Sequence, residues 1–162
     1  LVKQLPFLNK KYLSYKDFAD ASFTELLPKE KIKGAYKKQV FELGSCYFEN
    51  MGNSTFKKHQ LPFMAQVSSV NDIALDDFNN DGFTDVLLVG NNYNINTQLG
   101  KLDASHGLIL LNNANGFFNE SLDQDFNISG EARNIETLKI KEELFYVNSI
   151  NNDPPIFLKA NK

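Results

Sequence analysis

The sequence predicts a mainly β protein of two similar four-stranded antiparallel units, preceded by a short helical segment. Three observations predict this fold. An acidic loop at 77–85 lies between two strand-like stretches, and the turn-and-strand pattern of 47–56 recurs at 109–118. The sequence also changes at residue 41, where lysine-rich stretches give way to short apolar stretches separated by Asn and Gly. The predicted divisions are 1–40, 41–105 and 106–162.

The N-terminal segment carries helix-start signals. Patterns of the form S-x-x-D/E begin at Ser14 and Ser22, and such patterns are typical of a capped helix N-terminus. Three short helices are predicted, near 15–21, 23–27 and 29–38. Residues 1–13 fit no regular element, because Pro6 interrupts them early.

Charge is unevenly distributed along the chain. Residues 1–40 hold nine lysines and four acids, a net charge of +5, and residues 41–162 carry −8. The segment has no arginine, and nucleic acid is not expected as a partner. We expect the helical segment to pack on an open face of the acidic part, so that truncating it exposes the core. Two alternatives are self-association through uncovered faces and dependence on further units of a longer protein.

The stretch at 77–85 reads D-x-N-x-D-G-x-x-D, a spacing that suits a hard cation. Alternate side chains of a tight loop point inward, and Gly82 permits the positive φ that the turn needs. The predicted ligands are the side chains of Asp77, Asn79, Asp81 and Asp85 and the main-chain carbonyl of Phe83. Oxygen-only ligands favour Ca²⁺ over zinc or copper. The alternative is a polar turn held by Asx hydrogen bonds, without metal.

This loop differs from an EF-hand in its flanks and its end. The twelfth position of an EF-hand loop is a glutamate, but here it is Leu88. Helices flank an EF-hand, whereas 72–76 alternates and 86–90 is a short apolar run, so both read as strands. The pattern therefore predicts a calcium loop inside a β-hairpin.

Parts of the sequence recur. The stretch 47–56 matches 109–118, 70–73 matches 132–135 in the same alignment, and 85–89 matches 143–147 after a short deletion. At the place of the acidic loop the second copy has Lys139–Glu142, without a ligand set. A repeat of this length with four short strands is typical of a propeller blade. The alternative is a β-sandwich whose hairpins look alike by chance.

A long connection at 91–107 joins the two predicted units. Its many amides, together with Tyr93, Asp103 and His106, could line a polar ligand site, since connections of this length are often functional. The alternative is a surface loop held by asparagine self-capping.

Catalytic signals are weak. Asp72, Asp76 and Asp103 are the best candidates for a hydrolase that uses paired acids, but no nucleophile–His–acid set can be assembled, and we do not expect an enzyme.

The single cysteine, Cys46, is expected to be a small buried residue. No apolar stretch is long enough to span a membrane.

The acidic loop with its flanking strands, 71–91, resembles the FG-GAP/VCBS-type β-propeller repeats. The closest likeness is to the bacterial proteins in which such repeats accompany an ASPIC/UnbV domain. The turn at 50–56, which reads N-x-G-N-x-x-F, and the stretch 100–105 add to the resemblance. The resemblance covers roughly 41–160. It implies a secreted or surface-attached protein whose repeats bind calcium in the inter-strand loop. The predicted function is a calcium-stabilised, non-catalytic interaction module of such a protein, with a protein or glycan as its partner. The alternatives are a glycan- or small-ligand-binding module and a fragment of a calcium-dependent hydrolase.

Overall fold

The computed structural model describes residues 4–121 and 126–159. The chain divides into two compact units, Leu1–Phe41 and Glu42–Lys162. The described helices of the first unit are short, and the second unit holds the described strands. The prediction of a mainly β protein with short N-terminal helices is therefore confirmed. In the described part of the chain, no helix has the length and apolar character needed to cross a bilayer.

From residue 4 onward, the first unit forms four short helices, α1 (Phe7–Lys11), α2 (Tyr15–Asp20), α3 (Phe23–Leu26) and α4 (Lys29–Ile32). The predicted caps form, because the Ser14 side chain accepts the N–H of Asp17 at 3.0 Å and Ser22 forms a capping box with Glu25. Helix α1 was not predicted. It begins directly after Pro6, where a missing N–H costs little. Helix α4 ends well before residue 38, the predicted end.

The described strands of the second unit form three antiparallel sheets. In chain order they are β1 (Cys46–Asn50), β2 (Phe56–Gln60), β3 (Val70–Asp76), β4 (Asp85–Gly90), β5 (Leu108–Asn112), β6 (Phe118–Glu120), β7 (Ala132–Ile140), β8 (Glu143–Ile150) and β9 (Ile156–Lys159). The first sheet contains β1 and β2, the central sheet β3 to β6 in order, and the third sheet β7 to β9 in order. A 3₁₀ helix, Phe63–Gln66, follows β2.

The central sheet combines strands from both predicted units. Strand β4 pairs with β5, with Val86 opposite Leu110 and Leu88 opposite Leu108, across the predicted boundary between residues 105 and 106. The prediction of two four-stranded units is thus only partly correct, since the flanking sheets have two and three described strands. Pairing of β4 with β5 spans a long connection, and local patterns carry no information about such non-local pairs.

The hairpins β1–β2 and β5–β6 have the same register and the same turn. Asn50 faces Phe56 as Asn112 faces Phe118. In both turns this asparagine side chain accepts the N–H two positions further on, at 2.9 and 3.0 Å. The N–H of the residue after the asparagine donates across each turn, at 2.9 and 3.0 Å. The two hairpins therefore share a detailed geometry as well as a sequence pattern.

The hairpins β3–β4 and β7–β8 also correspond. Each ladder shifts register near its start, after Val70 in β3 and after Ala132 in β7, two residues that the sequence alignment had already matched. Beyond the shift, Val89 and Ser149 occupy matching positions. The predicted alignment of the second strands paired Val89 with Val147 instead, and it is therefore out of register.

Apolar side chains cover both faces of the central sheet. On one face, Leu87 and Ile109 are fully buried in a cluster that includes Ile135 and Tyr146 of the third sheet. On the other face, Leu88 and Leu110 pack with Ala65 of the 3₁₀ helix. A strand buried on both faces reads as an unbroken apolar run, which explains why β4 does not alternate.

The cysteine lies outside both of these apolar clusters. Cys46 is a free thiol at the start of β1, and it is half-buried rather than buried as predicted. The β1–β2 sheet has only two described strands, so its side chains are covered less completely than those of the central sheet.

Candidate metal loop and buried polar network

The loop between β3 and β4 is organised around the side chain of Asp77. Its Oδ1 accepts the N–H of Asp81 at 3.0 Å, and its Oδ2 accepts the N–H of Gly82 at 2.8 Å. Gly82 has a φ of 89°, the left-handed conformation predicted from the sequence. The side chain of Asp77 therefore closes the turn by bonding to two consecutive backbone N–H groups.

Asn79 and Asp81 face the same part of the loop. Asn79 Oδ1 lies 3.1 Å from the Asp81 nitrogen, the atom that also donates to Asp77. Asp81 Oδ1 accepts the N–H of Phe83 at 2.8 Å, and its Oδ2 accepts from the Asn79 amide at 2.8 Å. Oxygen atoms of Asp77, Asn79 and Asp81 are thus gathered around consecutive backbone amides.

Asp85 has a different environment from the other predicted ligands. Its side chain is fully buried, and its Oδ2 accepts the N–H of Phe78 at 2.9 Å while its Oδ1 accepts the N–H of Asn112 at 2.8 Å. The Asn112 amide in turn donates to the carbonyl of Thr84 at 3.2 Å. Asp85 therefore ties the loop to β5, a role that was not predicted. The sequence signal for this role is an acidic residue at the start of β4, directly followed by the buried apolar residues of that strand.

The chemistry of the donor set fits a hard cation. An ionised carboxylate offers about four lone-pair sites, so the oxygens of Asp77 and Asp81 retain acceptor capacity beyond their hydrogen bonds. No three acidic, histidine or cysteine side chains within 4–121 and 126–159 are grouped so as to hold a metal ion. In the described geometry, the loop is a hydrogen-bonded turn whose side-chain oxygens face its own backbone.

The matching hairpin of the third sheet has a much shorter turn. Only positions 141 and 142 separate β7 from β8, and Lys141 has a φ of 56°. Lys139 and Glu142 form an exposed ion pair at 3.5 Å. So short a turn leaves no room for the alternating inward side chains of the longer loop.

Tyr93, Asp103 and His106 of the connection at 91–107 have different surroundings. The Tyr93 N–H donates to Glu131, and the Lys101 ammonium lies 4.5 Å from the centre of the Tyr93 ring. Asp103 is exposed, and the carbonyl of His106 accepts the N–H of Ile128. Asn92 and Asn96 each cap the N–H two positions further on, at 3.0 Å. Asparagine self-capping therefore organises the exposed part of this connection.

Asn91 anchors the start of this connection. The residue is 2% exposed with a φ of 90°, and its amide donates to the carbonyls of Ser105 and Gly130 at 2.8 and 2.9 Å. Its Oδ1 accepts from the Ser105 N–H and the Ser68 hydroxyl. The Asn91 side chain thus makes four hydrogen bonds to three segments of the chain. The sequence gives no signal for this role, because Asn91 is one of several asparagines after β4.

Glu131 forms a second buried polar centre. Its side chain is 1% exposed and accepts from the Tyr93 N–H at 2.9 Å, the Asn151 amide at 2.6 Å and the Arg133 guanidinium at 2.7 Å. The Tyr93 N–H and then the Asn151 amide hold the pKa of the Glu131 carboxyl below its usual value. The carboxylate is therefore kept ionised while it links Tyr93 to β7 and to the end of β8.

Two of the acids considered for hydrolysis make structural contacts. Asp72 Oδ2 accepts from the Asn134 amide at 2.8 Å and the Ile135 N–H at 2.9 Å, which joins β3 to β7. Asp76 accepts a hydrogen bond from the buried hydroxyl of Tyr146. Burial, followed by the hydrogen bond to Asp76, raises the pKa of Tyr146 far above its usual value. These acids therefore connect the central and third sheets.

Comparison of the chain with protein-family models, with curated proteins and with solved structures found no match. The resemblance to FG-GAP/VCBS-type repeats therefore rests on the residues of 71–91 and on the turns that recur around them.

Proposed function

We propose that the second unit is a calcium-stabilised, non-catalytic interaction module of an exported or cell-surface protein with FG-GAP/VCBS-like repeats. The observation that carries the proposal is the gathering of Asp77, Asn79 and Asp81 oxygens around the amides of one exposed loop. Asp77 and Asp81 bring two carboxylates into one short loop, and a cation bound there would offset their mutual repulsion.

Asp77, Asn79 and Asp81 would hold the ion through side-chain oxygens, Phe83 through its carbonyl, and Asp85 would close the shell. Calcium supplies positive charge and flexible oxygen coordination at such a site. Two of the proposed ligands are already held by the protein, since Asp77 is hydrogen-bonded to Gly82 and Asp85 to β5. The hydrogen bonds of Asp85 to Phe78 and Asn112 also hold the end of the loop in place.

We also propose that the central sheet is one complete propeller-type blade. Strands β3 to β6 form an antiparallel meander in chain order, the arrangement of such a blade. The matching register of β1–β2 with β5–β6 supports this division, as does the shared register shift of β3 and β7. Under this proposal the repeat runs from 70 to 120, and the flanking sheets belong to its neighbours.

Calcium is expected to raise the melting temperature of the protein. Binding at ten to a hundred times the dissociation constant stabilises the folded state by about 1.4 to 2.7 kcal/mol, which corresponds to several degrees. Asp81→Asn is expected to lose most of this increment, because it removes a ligand charge while an oxygen remains for the N–H of Phe83. Differential scanning calorimetry in calcium or excess chelator measures both effects.

Asp103→Asn is the charge-matched control, because Asp103 is exposed and lies outside the loop. This variant is expected to keep the full calcium increment. Identical melting of the unmodified protein in calcium and in chelator would reject the calcium proposal and leave the hydrogen-bonded turn as the complete description of the loop.

Isothermal titration is expected to give one calcium ion per chain. The β7–β8 turn consists of positions 141 and 142 alone and offers no alternating ligands, so the third sheet should bind none. Asp81→Asn should abolish the only heat of binding. Two equivalent sites, or one site that survives Asp81→Asn, would contradict the assignment to 77–85.

A further inference from the structure

We propose that the outer edge of β9 is a docking site for an extended peptide strand that pairs with it antiparallel, as β6 pairs with β5. This inference deepens the interaction role proposed above and rests on it. The edge belongs to the third sheet, in which β9 is the outermost of the described strands and pairs with β8 on its other side.

The ladder registers show that β9 corresponds to β5. Val86 and Tyr146 occupy matching positions in the two hairpins, and they face Leu110 and Leu158 respectively. The same correspondence holds along the ladder, because Leu108 and Ile156 are the matching residues at the other end. The short connection 151–155 takes the place of the long connection 91–107. In the central sheet, the corresponding strand, β5, pairs with β6 along its outer edge.

The backbone groups available on β9 follow from this correspondence. The carbonyl of Ile109 in β5 accepts the N–H of Ser121 on the β6 side, at 3.0 Å. In an antiparallel strand, the N–H and C=O of one residue point to the same side and alternate along the strand. Phe157 corresponds to Ile109, so the N–H and C=O of Phe157 and Lys159 point away from β8. They are the groups that a docked strand would engage.

An apolar side chain also lies beside this edge. Phe157 is 55% exposed, whereas the matching Ile109 is fully buried. A docked strand can place an apolar residue next to Phe157, and cross-strand pairs of this kind are favourable. The occupant that fits is therefore an extended peptide with an apolar residue within an otherwise polar sequence. The stretch 115–121, which contains β6, has this chemistry and serves as the probe.

The test is titration of the ¹⁵N-labelled protein with an end-blocked peptide copying residues 115–121. Saturable shifts of the Phe157 and Lys159 amides, and slower hydrogen exchange there, are the expected result. Lys159→Pro removes one outward N–H, so binding should weaken by about tenfold. Lys159→Ala is the matched control, because it also removes the ion pair with Glu143 but keeps the N–H, and it should bind normally.

A second control does not depend on the folding of a variant. A peptide with proline in place of Asn119 loses the group that pairs opposite Leu111 in the central sheet, and it should fail to bind. Absence of saturable shifts, or binding unchanged by Lys159→Pro, would overturn the proposal. Concentration-dependent dimerisation that Lys159→Pro abolishes, without peptide binding, would also overturn it and make a second copy the occupant. The calcium increment in melting is a separate measurement, so either proposal can fail without the other.

Discussion

Replacing Gly90 with alanine is expected to destabilise the second unit severely, by about 4 kcal/mol or more. A Cβ at this position would lie 1.7 Å from the carbonyl oxygen of Ser69 and 2.8 Å from its carbonyl carbon. Both atoms belong to backbone, and the N–H of Asn91 holds the same carbonyl at 3.0 Å, so neither can move away cheaply. Chemical denaturation followed by circular dichroism measures the loss.

Gly52→Ala is the comparison variant, because Gly52 requires glycine for its left-handed backbone, whereas Gly90 has no positive φ and requires glycine for space. Gly52 has a φ of 82°, but a Cβ there would meet no atom within 4 Å. Its replacement should cost only about 1 to 2 kcal/mol, the cost of a left-handed backbone. Equal losses for the two variants would show that the close approach of Ser69 is not what requires glycine at position 90.

Asn91→Asp is expected to have the second large effect, a loss of about 3 to 5 kcal/mol. The change keeps the shape of the side chain but replaces its two N–H donors with a charged oxygen. That oxygen would face the carbonyls of Ser105 and Gly130 in a buried position. The connection at 91–107 should open locally, which hydrogen exchange of the Ser105 amide detects before global unfolding does.

Asn92→Asp is the matched control at the next position. Asn92 uses its side-chain oxygen to accept the N–H of Asn94, and a carboxylate can accept the same hydrogen bond. Its stability should therefore change by less than about 1 kcal/mol. A comparable loss in both variants would indicate a general effect of negative charge in this acidic unit rather than the specific role of Asn91.

Local patterns predicted the helix caps and the strands on either side of the acidic loop. Ser14 and Ser22 act within a single helical turn of their partners, and a sequence shows such relations directly. The strands 70–76 and 85–90 were found from their apolar pattern and from the loop between them. Apolar residues after the composition change at 41 do not all mark a strand, since Phe41 and Leu43 are exposed and β1 begins only at Cys46.

The grouping of strands into sheets could not be predicted. Whether β4 joins β5 depends on burial of Leu87 and Ile109 by the third sheet, a contact between residues far apart in the chain. The same limit applies to the polar residues of the site. Asp85 and Asn91 matched a ligand pattern or a loop composition, but their partners, Asn112 and Gly130, lie well outside any local window.

The buried carboxylate of Asp85 makes closure of the loop dependent on Asn112, in a strand far along the chain. We expect a contact of this sequence separation to form late in folding, because closing the intervening chain costs conformational entropy. A loop completed late is absent from the folding transition state, so an ion bound there should slow unfolding and leave the folding rate unchanged. The loop would then provide kinetic stability, because it would determine the lifetime of the folded state rather than the rate at which that state forms.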